Sequence, residues 1–379
     1  MRQTSAPSKR NIKTDDSTLL VLGAGASIGA SKYPIESSLR QATAKMPSGE
    51  NFFYDLFYQG KMDTHGERYV NSLGLTCEGV NDLIVRAWGL AKNLKGFDPE
   101  DWRQINIEEV FTFLDIGEKM YPRGTHYQRG FRICKRELTA FVTFQLLHKS
   151  EGLHCERLMA VFCALKPTDS LISFNWDTIA DFTLQRLDTP IYQTYLDLMT
   201  VDMPRLRDYS NRGVFLKLHG SLNWLVCPNP KCPLHGKARL AVEGKRLLRL
   251  LEMHKCPNCG NERCEPFIIP PTSNKVIRPG TILHKLWLIA RQKLASCRRI
   301  VFVGYSFPTT DFYSEWLFRQ IRFLEGSPPE IIVINPAMKK KGSQVQRRYQ
   351  RLFKGCQMHV FRDLKEFARE GLQLLNSPS

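Results

Sequence analysis

Three short stretches of this chain carry groups suited to chemistry: Gly23-Ala24-Gly25-Ala26-Ser27, Phe174-Asn175-Trp176-Asp177 and Leu218-His219-Gly220-Ser221. The first offers glycine backbone to a phosphate, because glycines at a strand end allow a tight turn and close approach of a pyrophosphate to a helix N-terminus. The second offers an amide and a carboxylate. Asn both accepts and donates, so Asn175 can hold a hydroxyl and a water together. Asp177 suits either the same site or the cap of a helix starting near Thr178. The third offers an imidazole, a side chain suited to general-base work, at His219. Ser221 can orient that ring or begin a turn. A Gly-rich turn, an Asn-x-Asp and a His-Gly, each after a strand-like run, imply a nucleotide site with chemistry attached. The next glycine is Gly29. The spacing is therefore G-x-G-x-x-x-G, which argues against the hydride-transfer enzymes and their G-x-G-x-x-G.

Two later segments could join this site. Gly304-Tyr305-Ser306-Phe307-Pro308 and Asn335 each follow an apolar run. Gly304 permits close approach, and Ser306 and Asn335 can bond phosphate or ribose hydroxyls or serve turns. Asp311 reads as the cap of a helix from Phe312.

A separate chemistry lies in Cys227-x4-Cys232 and Cys256-x2-Cys259. Two cysteine pairs can supply the closed tetrahedral shell of a structural zinc. Cys256-Pro257-Asn258-Cys259-Gly260 has the form of a zinc-ribbon knuckle, with Gly260 permitting its turn. His235 and Cys264 are spare ligand candidates. The remaining six of the eleven cysteines are scattered through apolar or amphipathic segments and read as buried free thiols.

The elements that must position these groups are short apolar runs: 18–22, 171–174, 214–218, 300–303, 331–334 and 358–361. Continuous apolar runs of this length suit strands covered on both faces. With helical patterns between them, they predict an α/β fold, a Rossmann-like doubly wound parallel sheet. The first crossover is too long for one helix. Helices are expected at about 36–46, 51–59, 79–94, 106–119, 130–148 and 151–165, making a helical insertion over about 36–166. A small zinc-binding module is expected over about 226–265. In such sheets ligands bind beyond the carboxyl ends of the strands, where all the motifs fall.

Composition is that of a globular protein, at 379 residues with 42% hydrophobic and 24% charged. No run approaches the roughly 18 apolar residues that span a bilayer. Residues 1–16 are polar, lack a signal-peptide core, and are expected to be disordered ahead of one domain over 17–379. A cytoplasmic, membrane-free protein is expected. The net charge of +17 permits a nucleic-acid or other polyanionic partner, or reflects only a basic surface.

In order and form these motifs resemble the Sir2, or sirtuin, superfamily. The resemblance covers most of the chain from Thr18 to about Asn335. It looks nearest to the Sir2-like NAD-consuming effectors of bacterial anti-phage defence, including the Ile107-Glu108-Glu109 element. It implies NAD+ bound across Gly23, Ala24, Gly25, Ala26 and Ser27. It further implies Asn175 and His219 as the catalytic pair, Asp177 on the nicotinamide-ribose side, and Gly304, Ser306 and Asn335 around the adenosine half. Sirtuin deacetylases follow the glycine turn with Gly-Ile-Pro-Asp-Phe-Arg. Here Lys32-Tyr33-Pro34-Ile35-Glu36-Ser37 stands instead, which weakens a deacetylase reading; the cysteine pairs weigh the other way.

The leading expectation is hydrolysis of NAD+ to nicotinamide and ADP-ribose. A resting NADase would have to be held inactive, so a homo-oligomer or a regulatory partner such as a HerA-type ATPase is implied. The alternatives are a protein deacylase or ADP-ribosyltransferase, and a non-enzymatic nucleotide- or nucleic-acid-binding subunit.

Overall fold

The computed structural model describes residues 17–31, 46, 52, 105–150, 155–199, 209, 211–227, 229–235, 237–240, 256–260, 264–269, 277, 281–324 and 327–376. The helices expected at 36–46, 51–59 and 79–94, the expected disorder over 1–16, and the Lys32–Ser37 stretch lie outside these, apart from single positions.

The six apolar runs form one parallel sheet. Its strands are β1 (Thr18–Leu22), β2 (Ser170–Ser173), β3 (Phe215–Lys217), β7 (Arg299–Val303), β8 (Glu330–Ile334) and β9 (Met358–Phe361). They lie in the order β3-β2-β1-β7-β8-β9. Every residue of β1, β2, β3 and β7 is buried, as covering on both faces requires. The doubly wound architecture expected from the sequence is the one observed. Strand order reverses between β1 and β7, and a crevice opens at such a switch point.

Register determines what meets there. Lys217, Ser173, Leu22, Val303, Ile334 and Phe361 pair successively into one row across the sheet. The next residues, Leu218, Phe174, Gly23, Gly304 and Asn335, therefore leave the sheet at one level. Five motifs far apart in sequence share an edge because their strands end together.

Helix α1 (Ala24–Ser31) follows β1 directly. Between it and β2 stand α2 (Ile107–Met120), α3 (His126–Ser150) and α4 (Glu156–Cys163). Asn106 caps α2 by accepting from Glu108 N at 2.8 Å, and Glu108 and Glu109 in its first turn suit the helix dipole. Next come α5 (Ile179–Arg186) and α6 (Pro190–Leu198), which is capped by Thr189 with Pro190 at its first position.

After β3 the chain builds a second sheet of three strands that the apolar runs did not announce. These are β4 (Gly220–Val226), β5 (Arg239–Leu240) and β6 (Glu265–Ile268), in the antiparallel order β5-β4-β6. Helix α7 (Ile282–Ser296) returns to β7. Helices α8 (Phe312–Arg319), α9 (Gln344–Leu352), α10 (Leu364–Glu370) and α11 (Gln373–Asn376) complete the described chain. Among the described residues no helix is long and apolar enough to cross a membrane.

Candidate functional site

A cavity of about 720 Å³ opens at the carboxyl edge, over the switch point. Ala24, Gly25, Ser27, Asn175, Asp177, His219, Gly304, Ser306 and Asn335 line it, so nine of the eleven residues expected at the site face one space. Gly23 and Ala26 are buried behind the turn.

The glycine turn is shaped first by packing. Gly23 N donates to Val303 O at 3.0 Å, and Gly25 N donates to Gly304 O at 2.9 Å. A Cβ on Gly23 would lie 2.5 Å from Tyr305 Cα, and one on Gly25 would lie 2.7 Å from Gly304 Cα. Gly304 itself sits at φ +61°, in the left-handed region that favours glycine. The loops after β1 and β7 thus touch backbone to backbone. Ala24 and Gly25 are the exposed residues at the α1 N-terminus, and because Gly25 N is committed to Gly304 O, Ala24 is the one of the two that can turn its N–H to an anion.

Behind this turn runs a directed chain of hydrogen bonds. Asn175 Nδ2 donates to Gly23 O at 2.8 Å and to Ser27 Oγ at 2.9 Å. The carbonyl of Gly23 can only accept, so it fixes which end of the Asn175 amide is nitrogen. Ser27 Oγ in turn donates to Asp177 Oδ2 at 2.6 Å. Both amide hydrogens of Asn175 are engaged, and Oδ1 is the atom it can offer to a ligand. Ser27 acts as a link within this chain; its proton is committed to Asp177.

Asp177 does not cap α5, whose cap position belongs to Thr178, but its Oδ1 accepts from Ile179 N at 3.1 Å. Burial pushes its carboxyl above the ordinary range, opposed by the charge of Lys217 and the Ser27 hydroxyl. Lys217 is fully buried. Its Nζ donates to Asp177 O at 2.6 Å and to Asp181 Oδ2 at 2.7 Å. Asp181 Oδ1 accepts from Tyr195 OH at 2.9 Å and from Asn223 Nδ2 at 3.1 Å. A buried charge pair survives only with such additional partners.

His219 sits between the sheet and β4. Its carbonyl accepts from Ile269 N at 2.8 Å, and Phe174 meets its ring edge-on at 5.1 Å. Its Nε2 lies 3.4 Å from Asp311 Oδ2. Asp311 does cap α8, as its sequence position predicts. Its second role, facing the imidazole, was not legible, because a cap and a site carboxylate look alike in sequence.

The Gly304–Pro308 loop is strained at Phe307, which has φ +51°. Such a residue costs about 1–3 kcal/mol. Packing holds it: Phe307 is buried against Phe302, Phe318 and Tyr349. Asn335 lines the cavity while its side chain serves the loop, donating to Tyr305 O at 3.2 Å and accepting from Ala337 N at 3.0 Å.

Sequence reading missed other lining residues. Glu108, at the start of α2, bonds Thr310 across the cavity. Arg348 on α9 donates to Phe307 O at 2.9 Å and adds a cation to the wall. The Ile107-Glu108-Glu109 element carried a signal for the first; nothing local marked the second.

The four cysteines Cys227, Cys232, Cys256 and Cys259 converge at the far end of β4, with all Sγ atoms within 4.8 Å of one another. The Cys227–Cys259 and Cys232–Cys256 sulfur pairs are each 3.7 Å apart. A tetrahedron with Zn–S near 2.3 Å has edges of about 3.8 Å, so the donor set fits zinc. The backbone N–H of Cys259 draws the Cys256 thiol down to about 6, while burial pushes Cys227 up to about 12. Gly260 closes the knuckle at φ +69°, donating to Cys256 O at 2.8 Å. His235 Nδ1 bonds Cys227 O at 3.0 Å and braces the cluster from outside. Cys264 is buried next to β6 and is not among the four.

No family model and no curated protein matches the chain. Among solved structures it is similar to one described under the mechanism and regulation of Sir2 enzymes, at 11% identity and TM-score 0.38, covering 95% of this chain and 93% of that one. A second is Sir2 in complex with the inhibitor EX-527, 2′-O-acetyl-ADP-ribose and a deacetylated p53 peptide, at 12% identity and TM-score 0.35, with 94% and 93% covered. A third concerns sirtuin substrate affinity, at 14% identity and TM-score 0.35, with 93% and 91% covered. A likeness at this level says nothing of chemistry.

Proposed function

We propose that this chain is a Sir2-like NAD+ hydrolase that cleaves NAD+ to nicotinamide and ADP-ribose. One observation carries the reading: Asn175 and His219 leave neighbouring strands at the level of the Gly23 turn and line one cavity with it. Its volume lies in the range of about 300–1,000 Å³ usual for ligand sites.

The N-glycosidic bond of such a substrate breaks through an oxocarbenium-like state. The leaving ring is cationic beforehand and departs neutral, so no acid is required. Asn175 Oδ1 orients a water or a ribose hydroxyl. His219 takes the proton as the water oxygen bonds to the sugar carbon. The carboxylates of Glu108, Asp177 and Asp311 favour the positive charge of the ring and of the transition state. Ala24, at the α1 N-terminus, suits the pyrophosphate. Gly304, Ser306 and Asn335, which line the same cavity, are assigned to the adenosine half. The four cysteines would hold a structural Zn2+ away from the reaction.

Incubation with NAD+ and chromatography of the products tests this. Wild type is expected to release nicotinamide and ADP-ribose, and His219→Ala is expected not to. Equal turnover by the two would overturn the assignment.

The reading extends to regulation. Unrestrained NAD+ loss would kill the host cell, so the resting protein would be inactive. A homo-oligomer or a partner such as a HerA-type ATPase would release it in the cytoplasm as an anti-phage effector. Light scattering beside NAD+ turnover tests this, and a fully active lone monomer would sink it. The cysteine cluster favours a second reading, an NAD-dependent protein deacylase or ADP-ribosyltransferase; only that reading makes turnover depend on an added acyl-peptide.

A further inference from the structure

We infer that Asp311 fixes the tautomer and orientation of His219, so that the neutral imidazole carries its proton on Nε2 and its lone pair on Nδ1. The inference rests on the proposed role of His219 as the base.

The geometry sets a carboxylate beside one ring nitrogen. Asp311 Oδ2 lies 3.4 Å from His219 Nε2, with the two side chains 4% and 9% exposed. An ionised carboxylate only accepts, so the nitrogen that faces it must bear a hydrogen. The distance exceeds that of a tight hydrogen bond, and such contacts commonly shorten when ligand binds.

The carboxylate is itself held in place. Tyr305 OH donates to the same Oδ2 at 2.7 Å. Burial and the charge of Asp311 push the Tyr305 phenol well above its ordinary range, so it remains a donor. Oδ1 faces Ser314 N at 3.5 Å as the cap of α8, and Asp311 N donates to Pro308 O at 3.0 Å. The imidazole is held in turn, by its carbonyl's bond to Ile269 N and by Phe174 at its edge. Phe174 also stacks on Tyr305 at 4.6 Å, so one aromatic ring touches both the imidazole and the phenol that braces its partner.

Asp311 therefore acts through His219, as a positioning residue. It arrives from the loop after β7, across the switch point from the strand that carries His219. The loop that presents Gly304 and Ser306 to the cavity also delivers the carboxylate that aims the base.

The Asp311→Asn substitution separates this role from capping, because Asn caps helices as well as Asp does. Protein labelled with 15N-histidine, compared with a His219→Gln control that identifies the signal, reports the ring tautomer without any substrate. Nicotinamide release reports kcat and KM. Wild type is expected to show the Nε2–H tautomer. In Asp311→Asn that preference is expected to be lost, with kcat about 100-fold lower and KM for NAD+ within about threefold. An Nδ1–H tautomer in wild type, or an Asn variant that keeps both tautomer and kcat, would overturn the inference. Should the Asn variant not fold, Asp311→Ser, which also caps helices, carries the same comparison. Should wild type release no nicotinamide, the hydrolase reading fails, while the ring signal continues to judge Asp311.

Discussion

At its Cys227 end, β4 runs into four thiols that converge on one point; at its His219 end it opens onto a cavity of about 720 Å³. Seven residues separate the two, roughly 23 Å of extended strand. The cysteine end is a closed shell, with four like donors at tetrahedral spacing. The histidine end is unlike: an imidazole, three carboxylates, four amides and a guanidinium line a space they do not fill. A closed shell holds chain together, and a mixed, open one leaves room for a reacting molecule. Between them Asn223, in mid-strand, bonds the Lys217–Asp181 pair and ties β4 to the main sheet.

The largest effect should come from breaking the closed end. Chelation, or Cys256→Ser with Cys259→Ser, is expected to remove one zinc per chain and stability on the order of 10 kcal/mol of metal binding. Metal analysis and thermal melts check this. Complete loss of turnover with an unchanged melt would erase the distinction between the two ends.

Next in size, His219→Ala is expected to lower kcat by about 100- to 10,000-fold while the melt shifts little. Nicotinamide release beside calorimetry would reveal a structural histidine if only the melt moved.

The middle of β4 is probed by Lys217→Met, which leaves Asp181 charged and buried. A loss of about 3–5 kcal/mol in urea unfolding is expected. Replacing Lys217 and Asp181 together by apolar residues should recover part of it, and no recovery would mean the pair matters by shape alone.

The smallest effect is a slope. Asp177 titrates above its ordinary 3.8 because it is buried. Its stabilising contribution is complete below that ordinary value and declines as pH rises through the raised one. Asp177→Asn should therefore gain on wild type as pH rises across that window. Urea midpoints at pH 4 and 8 decide it, and parallel curves would show that Ser27 and Lys217 cancel the cost of burial.

The sheet was legible in the sequence because buried parallel strands are continuous apolar runs; Thr18–Leu22 and Met358–Phe361 match residue for residue. Helices expected at 106–119 and 130–148 stand at 107–120 and 126–150. Strand β4 was not legible, since Gly220-Ser221-Leu222-Asn223-Trp224 looks like the tail of a motif. Its strand character comes from pairing with β6, about forty residues on. The cavity's charged partners were hidden for a related reason. Glu108, Asp311 and Arg348 each do something explicable locally on a helix, and only the fold brings them to one wall. The split of the glycine turn, with Gly23 and Gly25 packing on Gly304 and Tyr305, depends equally on a contact that no local pattern announces.

The shared row at the carboxyl edge makes the site indifferent to the length of its connections. Each motif is placed by where its strand ends, so α2–α4 and the cysteine-bearing strands occupy links between strands without displacing the row. The molecule is modular in this sense. A link can be exchanged for another of different length, provided it returns the chain to the same strand in the same register, and the five motifs would still meet.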